Sequence, residues 1–306
     1  MSRSVTVALV GTSGYGSFYL NPFLDSASKL DVKLTGVIDP FPDRCPRRTE
    51  LASRNIPCYP TLEEFFNNHT AELVIISSPT LHNATAHYLH HMLYLLGPTR
   101  ETSATPTQVQ AELYRANRID NFDTAAFRCR TDAGAEVLFY TSHAVPSDIN
   151  PVFCLEFENA LVSNGNGFVA HLAGGGTRRY GAPEAQGDCK LTQVLESVRT
   201  GDAPSCDIET AIPQVLCVNA AQESMPRVRV FPSDMVNIEG HPPNELTWVK
   251  GLSQALIQCW GMGILPSEHG DMPWARPSRL VDVTQYTSFP QNPVLLGGAE
   301  AGLHST

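Results

Sequence analysis

The run VTVALVGTSGYG (Val5–Gly16), a helical segment and the run VKLTGVID (Val32–Asp39) together predict a strand–glycine loop–helix–strand unit of the kind that holds a dinucleotide. Val5–Val10 is an apolar run of strand length that stops at a glycine. In such a unit Gly11 permits a tight turn, and small residues at Ser13 and Gly14 let backbone N–H groups approach a pyrophosphate. Gly16 then lets the helix pack close to the sheet. The second strand ends in Asp39, 28 residues after Gly11, where a carboxylate can accept hydrogen bonds from the adenosine ribose. Ser13 replaces the middle glycine of G-x-G-x-x-G, so the loop carries weight only together with both strands and the terminal acid. A flavodoxin-like unit, whose glycines merely make a turn, is the structural alternative.

At 306 residues the chain is long enough for two domains with full cores. Hydrophobic content of 42% and charged content of 17% are those of an ordinary globular protein. Thirty-one acidic residues against 21 basic ones, a net charge of −10, argue against nucleic acid or an anionic membrane as the main partner. No apolar run reaches membrane-helix length, and the N-terminal one is too short for a secretory signal. The eight cysteines are scattered with no C-x-x-C pair, which reads as reduced, mostly buried thiols. A soluble, cytoplasmic protein is expected.

Further along, Tyr15–Leu30 should be the first crossover helix, with Pro22 an irregularity within it. Asp43–Asn55 is helical by content. Its Arg44, Arg47 and Arg48 read either as a solvated face or as a grip on the 2′-phosphate of NADP; Asp39 would repel that phosphate, which favours NAD. Thr61 caps a short helix, with Glu64 at the capping-box position. Glu72–Ser77 is a fully apolar strand suited to the interior of a parallel sheet. By the rule that ligands sit at the carboxyl ends of such strands, Ser77, Pro79 and His82 should approach the nicotinamide ribose. Residues 108–116, 123–130 and 136–143 read as strands. Val109, Ala111 and Leu113 alternate with Gln108, Gln110 and Glu112, the period of a half-buried strand. Asp132-Ala133-Gly134 supplies a hairpin turn. Leu191, Val194, Leu195 and Val198 repeat at helical spacing up to Gly201, and Ser205 can cap a next helix that Pro213 should kink. The glycine-rich AGGGTRRYGAP (residues 173–183) is a loop, either a second phosphate cradle or an ordinary surface loop. A mostly polar tail runs from Gln285 to Thr306.

GTSGYG, the strand ending in Asp39, YPTLEEFF (59–66) and ELVIISSPTLH (72–82) follow one another as in the N-terminal domain of the Gfo/Idh/MocA-like oxidoreductases. The three later strands, FENALV (157–162) and KLTQVLESVRTGDAPSCDIETAIPQVLCVNAAQES (190–224) resemble that family's C-terminal antiparallel sheet and late helices, so the resemblance runs to about Pro232. It implies NAD(P)-dependent hydride transfer on a hydroxyl/carbonyl pair of a sugar, cyclitol or related polyol. It also implies a proton passed through a lysine/histidine pair, and a homo-oligomer, since the family's open sheet face often buries against a second subunit.

The chain departs from that pattern. No Glu-Lys-Pro occurs, and no lysine lies between Lys33 and Lys190. Instead His82 runs directly into a segment resembling the family's D-x-x-x-H helix, in which His87 matches the active-site histidine and Asn83 stands where the aspartate would be. The i,i+4 spacing puts both on one helix face, but an asparagine takes up no proton at neutral pH. The chain thus reads as a relative lacking on the order of a hundred internal residues, about two βα units and a linker. His82, His87, His90 and His91 also suggest metal ligation through H-x-x-x-H, but the glutamate of H-E-x-x-H is missing and no metal is expected. The expected fold is α/β: a truncated Rossmann-type dinucleotide-binding domain (residues 1–82), then an α+β domain with a mostly antiparallel sheet (83–306). The strand around Ile75 should be left at a sheet edge, covered by the 82–96 helix with strand 108–116 joining the sheet, or poorly packed. The candidate site comprises His87 and Asn83 for catalysis, with Gly11, Ser13, Gly14, Gly16, Asp39, Ser77, Pro79 and His82 on NAD, or on NADP. Alternatives are a relative that binds the cofactor without turnover and a mis-spliced product.

Overall fold

A computed structural model describes residues 3–13, 16–77, 81–149, 151–165, 167–182, 189–204, 206–241 and 245–291, without the side chains of 81–84. The first third alternates short strands and helices: β1 (Val5–Val10), α1 (Gly16–Asp25), α2 (Ala27–Leu30), β2 (Val32–Ile38), α3 (Arg48–Ser53), β3 (Cys58–Tyr59), α4 (Leu62–Asn68), β4 (Leu73–Ile76) and α5 (Leu81–Leu95). Pro22 lies inside α1, which gives way to the separate turn α2 one residue after Asp25. The segment 43–55 is not one helix: a 3-10 turn at Pro42–Arg44 precedes the short α3. Prolines at 42 and 46 explain the break, because proline disfavours helical backbone in the residue before it. Thr61 caps α4, its hydroxyl accepting from the Glu64 amide.

These strands form one parallel sheet of order β3-β2-β1-β4. β1 is central and almost wholly buried. β4 is the outer strand, with Ile76 64% exposed. The alternative in which strand 108–116 joins this sheet is not the one realised.

The rest of the chain carries β5 (Pro106–Arg115), β6 (Thr124–Thr131), β7 (Glu136–Ser142), β8 (Cys154–Phe157), β9 (Ala160–Gly165), β10 (Gly167–Leu172), β11 (Thr177–Gly181), α6 (Cys189–Thr200) and α7 (Ile208–Ser224). β12 (Arg229–Val230), β13 (Val236–Glu239), β14 (Leu246–Val249), α8 (Leu252–Met262) and β15 (Val281–Asp282) follow. β5, β6 and β7 pair antiparallel, with β12 and β15 both paired to β5. Residues 147–194 form a compact unit of their own, which contains the antiparallel sheet β11-β10-β9-β8. Within it TRRYG is a strand rather than loop: β11 pairs with β10, and its fully exposed, polar side chains leave no periodicity to read. Asp207, not Ser205, caps α7, accepting from the Thr210 amide at 2.8 Å; Ser205 lies outside the described residues.

The sheet β5–β7 is covered on both faces. Val109, Ala111, Leu113, Ala125, Phe127, Cys129 and Val137 point to one side, where Leu89 and Leu93 of α5 and Cys217, Ala220 and Ala221 of α7 meet them. A small apolar cavity of about 50 Å³ remains there, with Thr85 and Thr141 its polar lining residues. Tyr114 and Tyr140 point to the other side, where they pack against Phe231, Val249, Leu252, Leu256, Cys259 and Trp274. The alternation that predicts a half-buried β5 is therefore incomplete: Glu112 is fully buried and Gln110 half-buried, because residues 231–275 cap the second face.

Candidate functional site

The strand order β3-β2-β1-β4 reverses between β1 and β4, and the crevice outside the carboxyl ends of those two strands is where such sheets take ligands. Gly11 and Ser77 meet there. The Gly11 amide donates to the Ile38 carbonyl at 2.8 Å, and the Ser77 amide to the Val10 carbonyl at 2.8 Å. Gly11 has φ +81°, and a β-carbon on it would overlap the carbonyl oxygen of Ser77. A β-carbon on Gly16 would overlap the carbonyl oxygen of Gly11. Both glycines are thus demanded by the chain's own packing at the strand ends.

The Gly16 amide donates to the Ser13 carbonyl at 3.0 Å, turning the loop into α1. α1 has no acidic residue in its first turn, so its positive dipole end faces no competing carboxylate of its own helix. Gly14, Pro79 and the side chains of His82 and Asn83 lie outside the described residues.

Asp39, expected from the sequence to accept from a ribose, is also engaged by the chain itself. It is 6% exposed. One oxygen, Oδ2, accepts from the Thr12 amide at 3.0 Å and from the Thr12 hydroxyl at 2.6 Å; Oδ1 accepts from the Phe41 amide at 2.9 Å. Three of the roughly four lone-pair positions of the carboxylate are filled by the chain itself. Asp39 therefore ties the glycine loop to the end of β2, with one acceptor position left for a ligand. Burial pushes its carboxyl upward, but the bonds from Thr12 and Phe41, with Arg44 nearby, outweigh it and hold the group below the usual range. The stability it contributes is in place above the unfolded value of 3.8 and is lost as the pH falls through the folded value. Thr12→Val, which keeps the shape and removes the hydroxyl, is expected to lower the unfolding free energy by about 1–3 kcal/mol. Equal urea midpoints for the two proteins would show that the tie is not made.

The three arginines after β2 are mostly occupied. Arg47 pairs with Asp25 and Glu50, and Arg48 pairs with Asp43. Arg44 stacks its guanidinium over the Phe41 ring, 4.6 Å from the centroid. With Asp39 anionic beside them, this end of the sheet suits a ribose hydroxyl better than a 2′-phosphate.

α5 starts four residues after Ser77. His87 lies on its exposed side, its ring 3.8 Å from that of Tyr88 and 5.8 Å from that of His91, while Leu89 and Leu93 face the sheet. Among the described residues no group of three or more His, Cys, Asp or Glu side chains is placed to hold a metal, and no helix is long and apolar enough to cross a membrane.

No curated protein sequence matches the chain at a significant level. Among solved structures, the UDP-N-acetylglucosamine 3-dehydrogenase GnnA from Acidithiobacillus ferrooxidans is similar with a TM-score of 0.52 at 13% identity, over 74% of this chain and 98% of that one. The WlbA dehydrogenase from Bordetella pertussis, solved with NADH and UDP-GlcNAcA, gives 0.54 at 12% identity, over 73% and 97%. An oxidoreductase from Agrobacterium radiobacter, solved with NAD+, L-tartaric acid and magnesium, gives 0.50 at 11%, over 73% and 96%. At these identities the likeness is one of fold. A family model described as an oxidoreductase family with an NAD-binding Rossmann fold matches residues 5–96. The glycine turn at the β1–β4 crevice, the acid that ends β2 and the helix that follows β4 all lie within the segment that matches this NAD-binding Rossmann family model, in line with the Gfo/Idh/MocA resemblance of the sequence.

Proposed function

We propose that the chain binds NAD at the carboxyl end of β1 and that its oxidoreductase chemistry, directed at a sugar or related polyol, is impaired. The observation that carries this reading is the buried Thr12–Asp39 tie, which holds the first residues after β1 against the end of β2. The positive end of the α1 dipole would face the pyrophosphate, and the remaining acceptor position of Asp39 would take the adenosine ribose. Bound there, NAD supplies a hydride acceptor or donor. Of the proton-handling groups that the family resemblance implies, only His87 is present; Asn83 neither takes up nor releases a proton, and no lysine lies between Lys33 and Lys190. A base lost from such a site removes on the order of 100-fold to 10,000-fold in rate. The sugar-nucleotide dehydrogenases of similar fold support a sugar derivative as the substrate class. Residues 1–82 form the cofactor-binding part in this reading, and the antiparallel sheets after α5 the substrate part.

The expected result is saturable NADH binding, read as quenching of tryptophan emission, with little or no absorbance change when NAD and a panel of sugars, UDP-sugars and cyclitols are added. Rapid turnover on any of these would overturn the impairment. Absence of binding at millimolar NADH would overturn the reading as a whole.

A further inference from the structure

Away from the glycine loop, α5 and α7 bring a thiol and an imidazole together: Cys206 Sγ lies 3.2 Å from His90 Nε2. Cys206 is exposed, and His90 is half-buried on the third turn of α5. The other ring nitrogen, His90 Nδ1, is buried and has no hydrogen-bond partner among the described residues. Burial lowers the pKa of this imidazole, so at neutral pH the ring carries one proton. With that proton on Nδ1, the Nε2 lone pair points at the thiol and accepts from it.

Cys206 also stands immediately before Asp207, the cap of the 17-residue helix α7, and so at the positive end of a long helix dipole. The Asp207 carboxylate works against a thiolate there, but its Oδ1 is already engaged by the Thr210 amide and hydroxyl, each at 2.8 Å. The other exposed thiols have neither advantage. Burial and the neighbouring Asp39 push Cys58 up, and burial and Glu156 push Cys154 up. Cys129 and Cys217 are fully buried.

We propose that Cys206 is a modification site: a reactive thiol, with His90 as its base, that takes low-molecular-weight disulfides. In the step, the Cys206 sulfur attacks one sulfur of the disulfide and a new S–S bond forms. The old S–S bond breaks, and its second sulfur leaves as a thiolate. The thiol proton passes to His90 Nε2 and from there to the departing thiolate, so the exchange needs no oxidant beyond the disulfide itself.

The test uses the full chain with 5,5′-dithiobis(2-nitrobenzoate) at limiting amount, followed by peptide mass mapping of the labelled cysteines. Cys206 is expected to carry most of the first equivalent and to react about tenfold faster than Cys58 and Cys154. His90→Phe should bring the Cys206 rate down to theirs while leaving the rates of Cys58 and Cys154 unchanged, and Cys206→Ser should abolish the fast phase. Equal labelling of the three exposed thiols in the unmodified chain would overturn the proposal, whatever the variants do. A folded His90→Phe protein with an undiminished Cys206 rate would remove His90 as the base.

Discussion

Gly11→Ala is expected to destabilise the fold by about 3–5 kcal/mol and to move the urea midpoint down accordingly. Two effects add. The residue sits at φ +81°, in the left-handed region where a β-carbon costs about 1–2 kcal/mol. That β-carbon would also overlap the Ser77 carbonyl oxygen, and the obstacle is backbone, not the end of a flexible side chain. Ser77 has little room to retreat, because its amide is bonded to Val10 and the Gly11 amide to Ile38, so relief of the overlap strains the junction of β1, β2 and β4. Gly134→Ala is the matched control. Gly134 has φ +82° with nothing within 4 Å of its β-carbon position, so this variant shows the conformational part alone, about 1–2 kcal/mol. Unfolding free energies that fall equally in the two variants would show that crowding at Ser77 is absent. If the crevice is the NAD site, Gly11→Ala should also weaken NADH binding, whereas Gly134→Ala should not.

What the sequence made legible was whatever local chemistry writes down. An apolar run broken by Gly11, a second ending in Asp39 and the cap-and-acid pair Thr61/Glu64 each specify their element within a few residues, and the parallel sheet follows from them. The tie that Asp39 makes to Thr12 and Phe41 was not legible in this way. An acid at the end of β2 reads as a ligand for ribose, yet three of its acceptor positions go to Thr12 and Phe41, a tertiary arrangement that spacing does not announce. The polar face of β5 misled for a similar reason. Glu112 alternates with apolar neighbours as a solvent-facing residue would, but residues 231–275 return to cover it. That returning segment carries its own local signals, since Gly251 and Gly263 bracket α8 and both adopt positive φ. No pattern within α8 states which sheet it will cover. The His90–Cys206 pair was invisible because its members are 116 residues apart, and the histidine cluster around His90 pointed to its own helix neighbours rather than to a thiol so distant in the chain.

Glu112 also carries the second large effect. It is a fully buried carboxylate holding the cap to the sheet: Ser267 donates to it through its hydroxyl at 2.5 Å and its amide, and the Tyr114 hydroxyl donates to Oε2. Glu112→Ala leaves these donors without their acceptor inside the core. At about 1–3 kcal/mol for each unsatisfied group, a loss of roughly 3 kcal/mol or more is expected. Burial of Trp274 against Tyr114 and Phe231 offers the readout, since release of the cap from the sheet would expose that indole and shift its emission. The pH dependence has a definite sign. Burial raises the Glu112 pKa above the unfolded value of 4.5, against the opposing bonds from Ser267 and Tyr114. Between the unfolded and folded values the native state binds more protons than the unfolded one, so this group makes stability fall as the pH rises through that window. Asp39, Asp207 and Glu268, whose carboxyls are all lowered, slope the other way at lower pH, so the bare stability curve mixes the two. Subtracting the curve of Glu112→Gln, which keeps the size and removes the titration, isolates Glu112. The difference, unmodified chain minus variant, should decline from pH 4.5 upward and level off above the folded value. A difference that instead rises below pH 4.5 and stays flat above it would mean that the three donors outweigh burial, and that the cap is fastened by an anion rather than held in spite of one.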